Sequence, residues 1–357
     1  MKKRWISVLI SAGLVVSMLA GCGGTGKDKT EVKSNSGSAE PAESRDEEKA
    51  KQEEYEVGYI VSNMSHEWYQ NICAGAERRA KEKGSNLSIS DAAMDSGKQI
   101  SYAENYISQG VDALIVTPVD PAALGPMVAL AEEAGIPLIA ESSKFDGMSS
   151  YVGITDFEAA EHIGEWMAQY AKDQSIDMNI LIVGQPIYEA CRNRVDGFLS
   201  GLDKSGATYT IAQEVDGNGT KEDSLAVATD ALTAHPEVNV IFGINDNSAT
   251  GAMNAYLEHG LDESKLTVLG FGFEGSVGRD ALLGDTPYKA AVAMFPDYVG
   301  AAIVDVAQIA ASGQEIPEVY NIPTTVITKD NFAEFYEDNG DGTYTTSFNA
   351  IDALLEK

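Results

Sequence analysis

The chain is short of cations, cysteine and histidine. Lysine and arginine together number 25 against 55 aspartates and glutamates, which leaves a net charge of −30 at pH 7. A surface this acidic repels phosphate backbones and anionic lipid heads, so a nucleic-acid partner is excluded. Solubility alone accounts for most of that charge. The three cysteines, Cys22, Cys73 and Cys191, are too few and too scattered to form a disulfide framework. Cys73 and Cys191 fall in helical patterns and read as free, partly buried thiols. The four histidines do not form a metal motif. His66-Glu67-Trp68-Tyr69-Gln70 begins like a zinc-protease helix but has no second histidine. Gly275-Ser276-Val277-Gly278 lacks the small residue that opens a nucleophile elbow. Gly270 to Gly275 fits G-x-G-x-x-G after a strand, yet Phe271 and Phe273 are bulky where a phosphate must come close. Glu337 to Thr343 has the Asn339, Asp341 and Gly342 of a calcium loop, but Phe348 stands where its last carboxylate belongs. That stretch reads as a hairpin turn. No metal or other cofactor is expected, and no paired nucleophile and base supports an enzyme.

Long apolar runs are equally scarce. One, Trp5 to Leu19, follows Lys2, Lys3 and Arg4 and closes on Leu19-Ala20-Gly21-Cys22. It is short for a membrane span and has the three parts of a secretory signal. Its closing tetrapeptide resembles the lipobox of bacterial lipoproteins. That resemblance implies cleavage before Cys22, so that residues 1–21 are a signal peptide, and lipidation of the Cys22 thiol. The mature protein would then stand outside the cytoplasm, anchored to the cell membrane. An uncleaved anchor helix would give the same topology. Residues 22–54 are rich in Ser, Gly, Glu, Pro and Lys without apolar periodicity, a composition that predicts a disordered tether. Its root-mean-square reach is roughly 30 Å.

The remaining length, about 300 residues, is enough for two domains. From Glu56 onward short apolar runs alternate with amphipathic segments. Strands are predicted at Val57–Val61, Leu87–Ser90, Ala113–Val116, Pro137–Ala140 and Tyr151–Gly153, with helices at Trp68–Lys83, Ser96–Gly110 and Pro121–Gly135. The pattern then restarts. Helices are predicted at Phe157–Lys172, Glu189–Ser205, Lys221–Ala234 and Ala249–His259, and strands at Asn179–Val183, Tyr209–Val215, Val238–Phe242 and Leu266–Leu269. Such runs indicate α/β architecture with two doubly wound parallel-sheet lobes. Ligands bind beyond the C-terminal ends of such strands, so two lobes facing each other there would form a cleft.

The residues after those strands are therefore the candidate site. They include Ser62, His66, Trp68 and Tyr69 after the first strand, and Glu141 and Ser142 after the fourth. The second half contributes Tyr188, Arg194, Asn245, Phe271 and Met294. Aromatic faces stack on the C–H faces of a sugar ring, while amides, carboxylates and an arginine fork satisfy hydroxyls that cannot be buried unpaired. Each residue alone has an ordinary structural explanation; together they point to a small polar ligand.

With these residues in place, the stretch from about Tyr55 to Thr328 resembles the type I periplasmic sugar-binding proteins, the ribose- and galactose-binding family. The matching segments are Val61 to Tyr69, Gly110 to Pro118, Ala134 to Ile139, Arg192 to Phe198, Leu232 to Pro236, Asn245 to Ala252 and Val268 to Phe271. The resemblance implies two Rossmann-like lobes joined by a three-strand hinge, with the chain crossing near Thr155, Met294 and Pro323. The lobes would be 55–155 plus 295–322 and 156–294 plus 323–357. It implies that Trp68 and Tyr69 stack on the ligand, that Ser62 and His66 hydrogen-bond to it, and that Glu141 replaces a common Asp. Arg194 and Asn245 would reach in from the second lobe. Three departures stand out: Ser142 where an Arg is common, Gly272 where an Asp is common, and Met294 where an amide is common. Glu274 could restore the missing carboxylate. Fewer polar anchors favour a deoxy sugar, polyol, glycoside or nucleoside-like ligand over a plain pyranose. The resemblance implies a monomer that closes over its ligand and delivers it to an ABC permease; the alternative is a sensing subunit that presents the closed form to a sensor kinase or chemoreceptor.

Overall fold

The computed structural model describes residues 54–273 and 275–355. The signal segment 1–21, Cys22, the tether up to residue 53 and Glu274 lie outside the described residues. In order, the chain forms β1 (Glu56–Val61), α1 (Glu67–Lys83), β2 (Asn86–Asp91), α2 (Ser96–Gln109), β3 (Ala113–Val116), α3 (Gly125–Ala134), β4 (Leu138–Glu141) and β5 (Ser150–Gly153). Next come α4 (Asp156–Gln174), β6 (Met178–Gly184), α5 (Glu189–Lys204), β7 (Tyr209–Asp216), α6 (Lys221–Ala234), β8 (Val240–Gly243), α7 (Asp246–Glu258), β9 (Thr267–Gly272), α8 (Ser276–Leu283) and β10 (Tyr288–Ala293). The last part holds α9 (Pro296–Ala311), β11 (Val319–Asn321), β12 (Thr325–Thr328), α10 (Phe332–Phe335), β13 (Tyr336–Asp338), β14 (Tyr344–Thr346) and α11 (Phe348–Asp352).

Two six-stranded sheets result, ordered β11-β5-β4-β3-β1-β2 and β12-β10-β9-β8-β6-β7. Strands β3, β8 and β9 are buried along their whole length, as parallel strands covered on both faces must be. Every pairing within the sheets is parallel except β12 on β10, which runs antiparallel at the sheet edge. The chain passes from the first sheet to the second between β5 and α4, back between β10 and α9, and across again between β11 and β12.

Local chemistry explains the boundaries. His66, Asp95, Thr220 and Asn245 each cap a helix by accepting a backbone N–H bond. The segment predicted as one helix from Pro121 is broken. A single 3₁₀ turn covers Pro121–Ala123, and α3 starts at Gly125, with the N–H-less Pro126 in its first turn. The stretch Glu337 to Thr343 connects β13 to β14 as a hairpin.

Helices pair through small residues. A β-carbon on Gly75 or Gly300 would run into the backbone of the facing helix across the α1–α9 contact, and the same holds for Gly164, Gly197 and Gly201 between α4 and α5. The C-terminal segment packs on both lobes. Phe332, Phe335 and Tyr336 surround Phe273 and Phe295, while Tyr298 of α9 bonds to Asp352 at 2.7 Å. Phe295, at the crossing into α9, is fully buried with φ at 49°. That left-handed backbone is unfavourable for a bulky residue and is held there by the aromatic packing around it.

Candidate ligand-binding cleft

The C-terminal ends of the two sheets carry most of the residues singled out from the sequence. On the first lobe, the loop after β1 leads into α1. His66 caps that helix, with Nδ1 accepting from the Trp68 N–H at 3.2 Å, and its ring meets Tyr69 edge-on at 6.0 Å. Trp68 is half-buried and packs against the apolar cores of both lobes, so it stands where they meet. Tyr69 is half-buried and Ser62 is buried at the end of the strand.

Glu141 closes β4 and is almost wholly buried. Its carboxylate accepts from Thr117 Oγ1 at 2.6 Å and from Ser142 Oγ at 2.5 Å. Since Thr117 gives its proton to Glu141, Tyr59, whose hydroxyl lies 3.0 Å from Thr117 Oγ1, donates to Thr117. Burial raises the Glu141 carboxyl to about 7, against the pull of its hydroxyl donors. Ser142 is exposed and adopts a left-handed backbone, φ 63°, which turns the chain sharply after the strand. The carboxylate's two oxygens are thus satisfied within the first lobe, by a hydroxyl chain that sequence reasoning did not find. Thr117 sits in a matched segment, but nothing in the sequence says that Tyr59, on the neighbouring strand β1, points to the same spot.

On the second lobe, Arg194 of α5 is held on four sides. Nε donates to Asp156 Oδ1 at 2.7 Å, and Nη1 donates to the Ile244 carbonyl at 3.0 Å. Nη2 approaches the Met294 sulfur at 3.8 Å, and the guanidinium carbon lies 4.3 Å from the centre of the Phe271 ring. Phe271 and Met294 are both buried in the apolar core of the second lobe and also touch this arginine. Asn245 caps α7 through Oδ1 and donates Nδ2 to the Gly219 carbonyl at 3.0 Å. Gln185 and Asn218, half-buried and exposed, meet beside it at 3.4 Å. Tyr188 is exposed at the start of α5.

The lobes are electrostatically in reach of each other. Desolvation by the surrounding protein lowers the His66 imidazole below its ordinary value; Glu67 opposes the shift and Arg194, from the other lobe, adds to it. His66 thus lies within electrostatic reach of Arg194, and Trp68 packs against the apolar cluster that contains Phe271 and Met294. Asp246, next to Asn245 in sequence, turns the other way: it is buried, and accepts from the Tyr288 hydroxyl at 2.6 Å. A β-carbon at Gly270 or Gly278 would collide with that pair. Of the glycines in the G-x-G-x-x-G match, Gly270 thus serves packing around Asp246. Cys73 and Cys191 are both free and buried, and burial pushes the Cys73 thiol up to about 12. Among the described residues no cluster of His, Cys, Asp or Glu could hold a metal ion, and no helix is long and apolar enough to cross a membrane.

Two facing α/β lobes with this cleft define a known architecture, and residues 57–315 match the profile described as a periplasmic binding protein domain. The chain belongs to that family. Within it, the type I sugar-binding branch that serves ABC importers contains its relatives. The ribose import binding protein of Bacillus subtilis (strain 168) is 29% identical over 282 residues, covering 77% of this chain and 88% of that protein. The putative rhizopine-binding protein of Rhizobium meliloti is 29% identical over 273 residues, 74% of this chain and 87% of its own. An ABC transporter periplasmic solute-binding protein from Actinobacillus succinogenes 130z, solved with D-allose bound, superimposes with a TM-score of 0.70 at 28% identity, over 78% of this chain and 98% of that one. The two-lobed fold and the family expected from the sequence are those found, and family membership implies a place outside the cytoplasm.

Proposed function

We propose that this chain is a lipid-anchored, extracytoplasmic solute-binding protein that captures a sugar or sugar-like molecule and delivers it to an ABC importer, without doing chemistry on it. The observation that carries the reading is the pairing across the cleft of an aromatic first-lobe wall, Trp68 and Tyr69, with a second-lobe arginine held at four points. A sugar offers both counterparts: C–H faces for the aromatics and hydroxyls for the guanidinium, His66 and Asn245. Relatives named for ribose and rhizopine, and one solved with D-allose, support a ligand of this class.

The mechanism follows from the three crossings between the sheets. The lobes swing about them, the ligand bridges the two walls, and the closed form is stabilised by contacts that the open form lacks. That closed form is the one a permease would recognise. The anchor would be Cys22, with residues 1–21 removed and the tether leaving the domain free to approach its partner. The protein acts as a monomer.

A thermal-shift screen against pentoses, hexoses, deoxy sugars, polyols and nucleosides tests the reading. A ligand at 100 times its dissociation constant adds about 2.7 kcal/mol, a shift of several degrees. No shift with any carbohydrate would sink the sugar assignment. For the anchor, Cys22→Ser should move the protein from the membrane to the soluble fraction.

A further inference from the structure

Arg194 cannot place itself. A free arginine side chain samples many rotamers, and a fork that must meet ligand hydroxyls loses affinity for each rotamer it has to give up on binding. In this protein the guanidinium is oriented before any ligand arrives, and among the supports described above Asp156 is the charged group. Ile244 offers a carbonyl, Phe271 a ring face and Met294 a sulfur. Asp156 is the first residue of α4, reached directly after the chain crosses from the first sheet. The ion pair is mostly shielded, with side-chain exposures of 13% for Arg194 and 17% for Asp156.

We propose that Asp156 is a positioning residue for ligand capture: it fixes the plane and direction of the Arg194 guanidinium, so that its loss weakens binding more than it weakens the fold. This rests on the sugar-binding reading above. The α4–α5 seam is secured without the ion pair. Gly197 and Gly201 bring the α5 backbone against Phe157, Glu161 and Glu165 of α4, Gly164 does the same from the other side, and Glu161 accepts from Ser200 and Lys204. Two helices already in backbone contact do not need Asp156 to stay docked. The close approach of Gly197 to Phe157, next in sequence to Asp156, also sets the register that brings the carboxylate to Nε.

Two measurements test the proposal. By NMR on the ligand-free protein, the Nε proton of Arg194, identified as the arginine signal lost in Arg194→Lys, should exchange slowly with water. Asp156→Asn should remove that protection and Asp156→Glu restore part of it. By calorimetry with D-ribose and D-allose, Asp156→Asn should weaken binding by about 10- to 100-fold, as expected for a hydrogen bond to a charged group, with the melting temperature close to that of the parent. In the Arg194→Lys background the same substitution should add little. An Nε proton still protected in Asp156→Asn, or unchanged affinity with that variant, would overturn the proposal. If the parent protein binds neither sugar, it is the choice of ligand that has failed, and the exchange rates still decide whether Asp156 holds the arginine.

Discussion

The carboxylate of Glu67, at the start of α1 on the first lobe, lies against the α-carbon of Gly275, which opens α8 on the second. A β-carbon on Gly275 would occupy the space of the Glu67 carboxyl group. Helix α8 has no side-chain cap of its own and no acid in its first turn. Glu67 thus brings to its positive end a negative charge that its first turn lacks, and does so across the lobe boundary. Gly275→Ala should displace the flexible Glu67 carboxylate from the start of α8 and so remove this link between the lobes. We expect weaker ligand binding and a larger radius of gyration by X-ray scattering in the presence of ligand. An unchanged scattering curve and affinity would show that the contact does not limit closure.

Trp68 touches both cores, so its contribution should grow as the lobes close. Trp68→Ala should lower affinity by at least tenfold, roughly 1.4 kcal/mol or more, given the worth of a buried aromatic face. Trp166 lies on α4, stacked on Tyr170 at 4.9 Å. A ligand-induced change in tryptophan emission should therefore vanish in Trp68→Phe and persist in Trp166→Phe.

Glu141 makes stability depend on pH in an unusual direction for an acid. Its folded value, about 7, lies above the ordinary 4.5. Below 4.5 the group is protonated in both states and costs nothing. As the pH rises towards 7 the unfolded chain ionises first, and the folded state is progressively disfavoured. By this one group, stability should fall by a few kcal/mol at most between those limits, on the order of the 1.36 kcal/mol carried by each tenfold difference in proton affinity. Glu141→Gln should flatten that part of the pH–melting curve and match or exceed the parent at pH 8. A variant less stable than the parent at pH 8 would mean that the ionised carboxylate is favoured by its hydroxyl donors after all.

The α4–α5 seam makes a separate prediction about folding. Gly201→Ala would push a methyl group into the Glu161 carbonyl and the Glu165 amide of the facing helix. Overpacking of this kind costs about 1–3 kcal/mol. Chemical denaturation should register that loss, whereas alanine at the open, exposed Gly125 should leave stability nearly unchanged, since nothing lies near its missing β-carbon.

As far as Leu269, the order of strands and helices, their alternation and the restart after Gly153 were legible in the chain, because each depends on short-range pattern; the elements from α8 onward were not read from it. Short apolar runs such as Ala113–Val116, repeated between amphipathic segments, read as buried parallel strands, and caps such as Asp95 and Asn245 mark their helices locally. What each site residue touches was decided by tertiary structure. Asp156 reaches Arg194 across 38 positions, Met294 reaches it across 100, and Thr117 reaches Glu141 across 24. No periodicity encodes those meetings; they arise where helix docking and sheet order bring distant strand ends together. The same holds for Glu67 and Gly275, whose contact exists only because two lobes, each specified by its own pattern, face one another across a cleft.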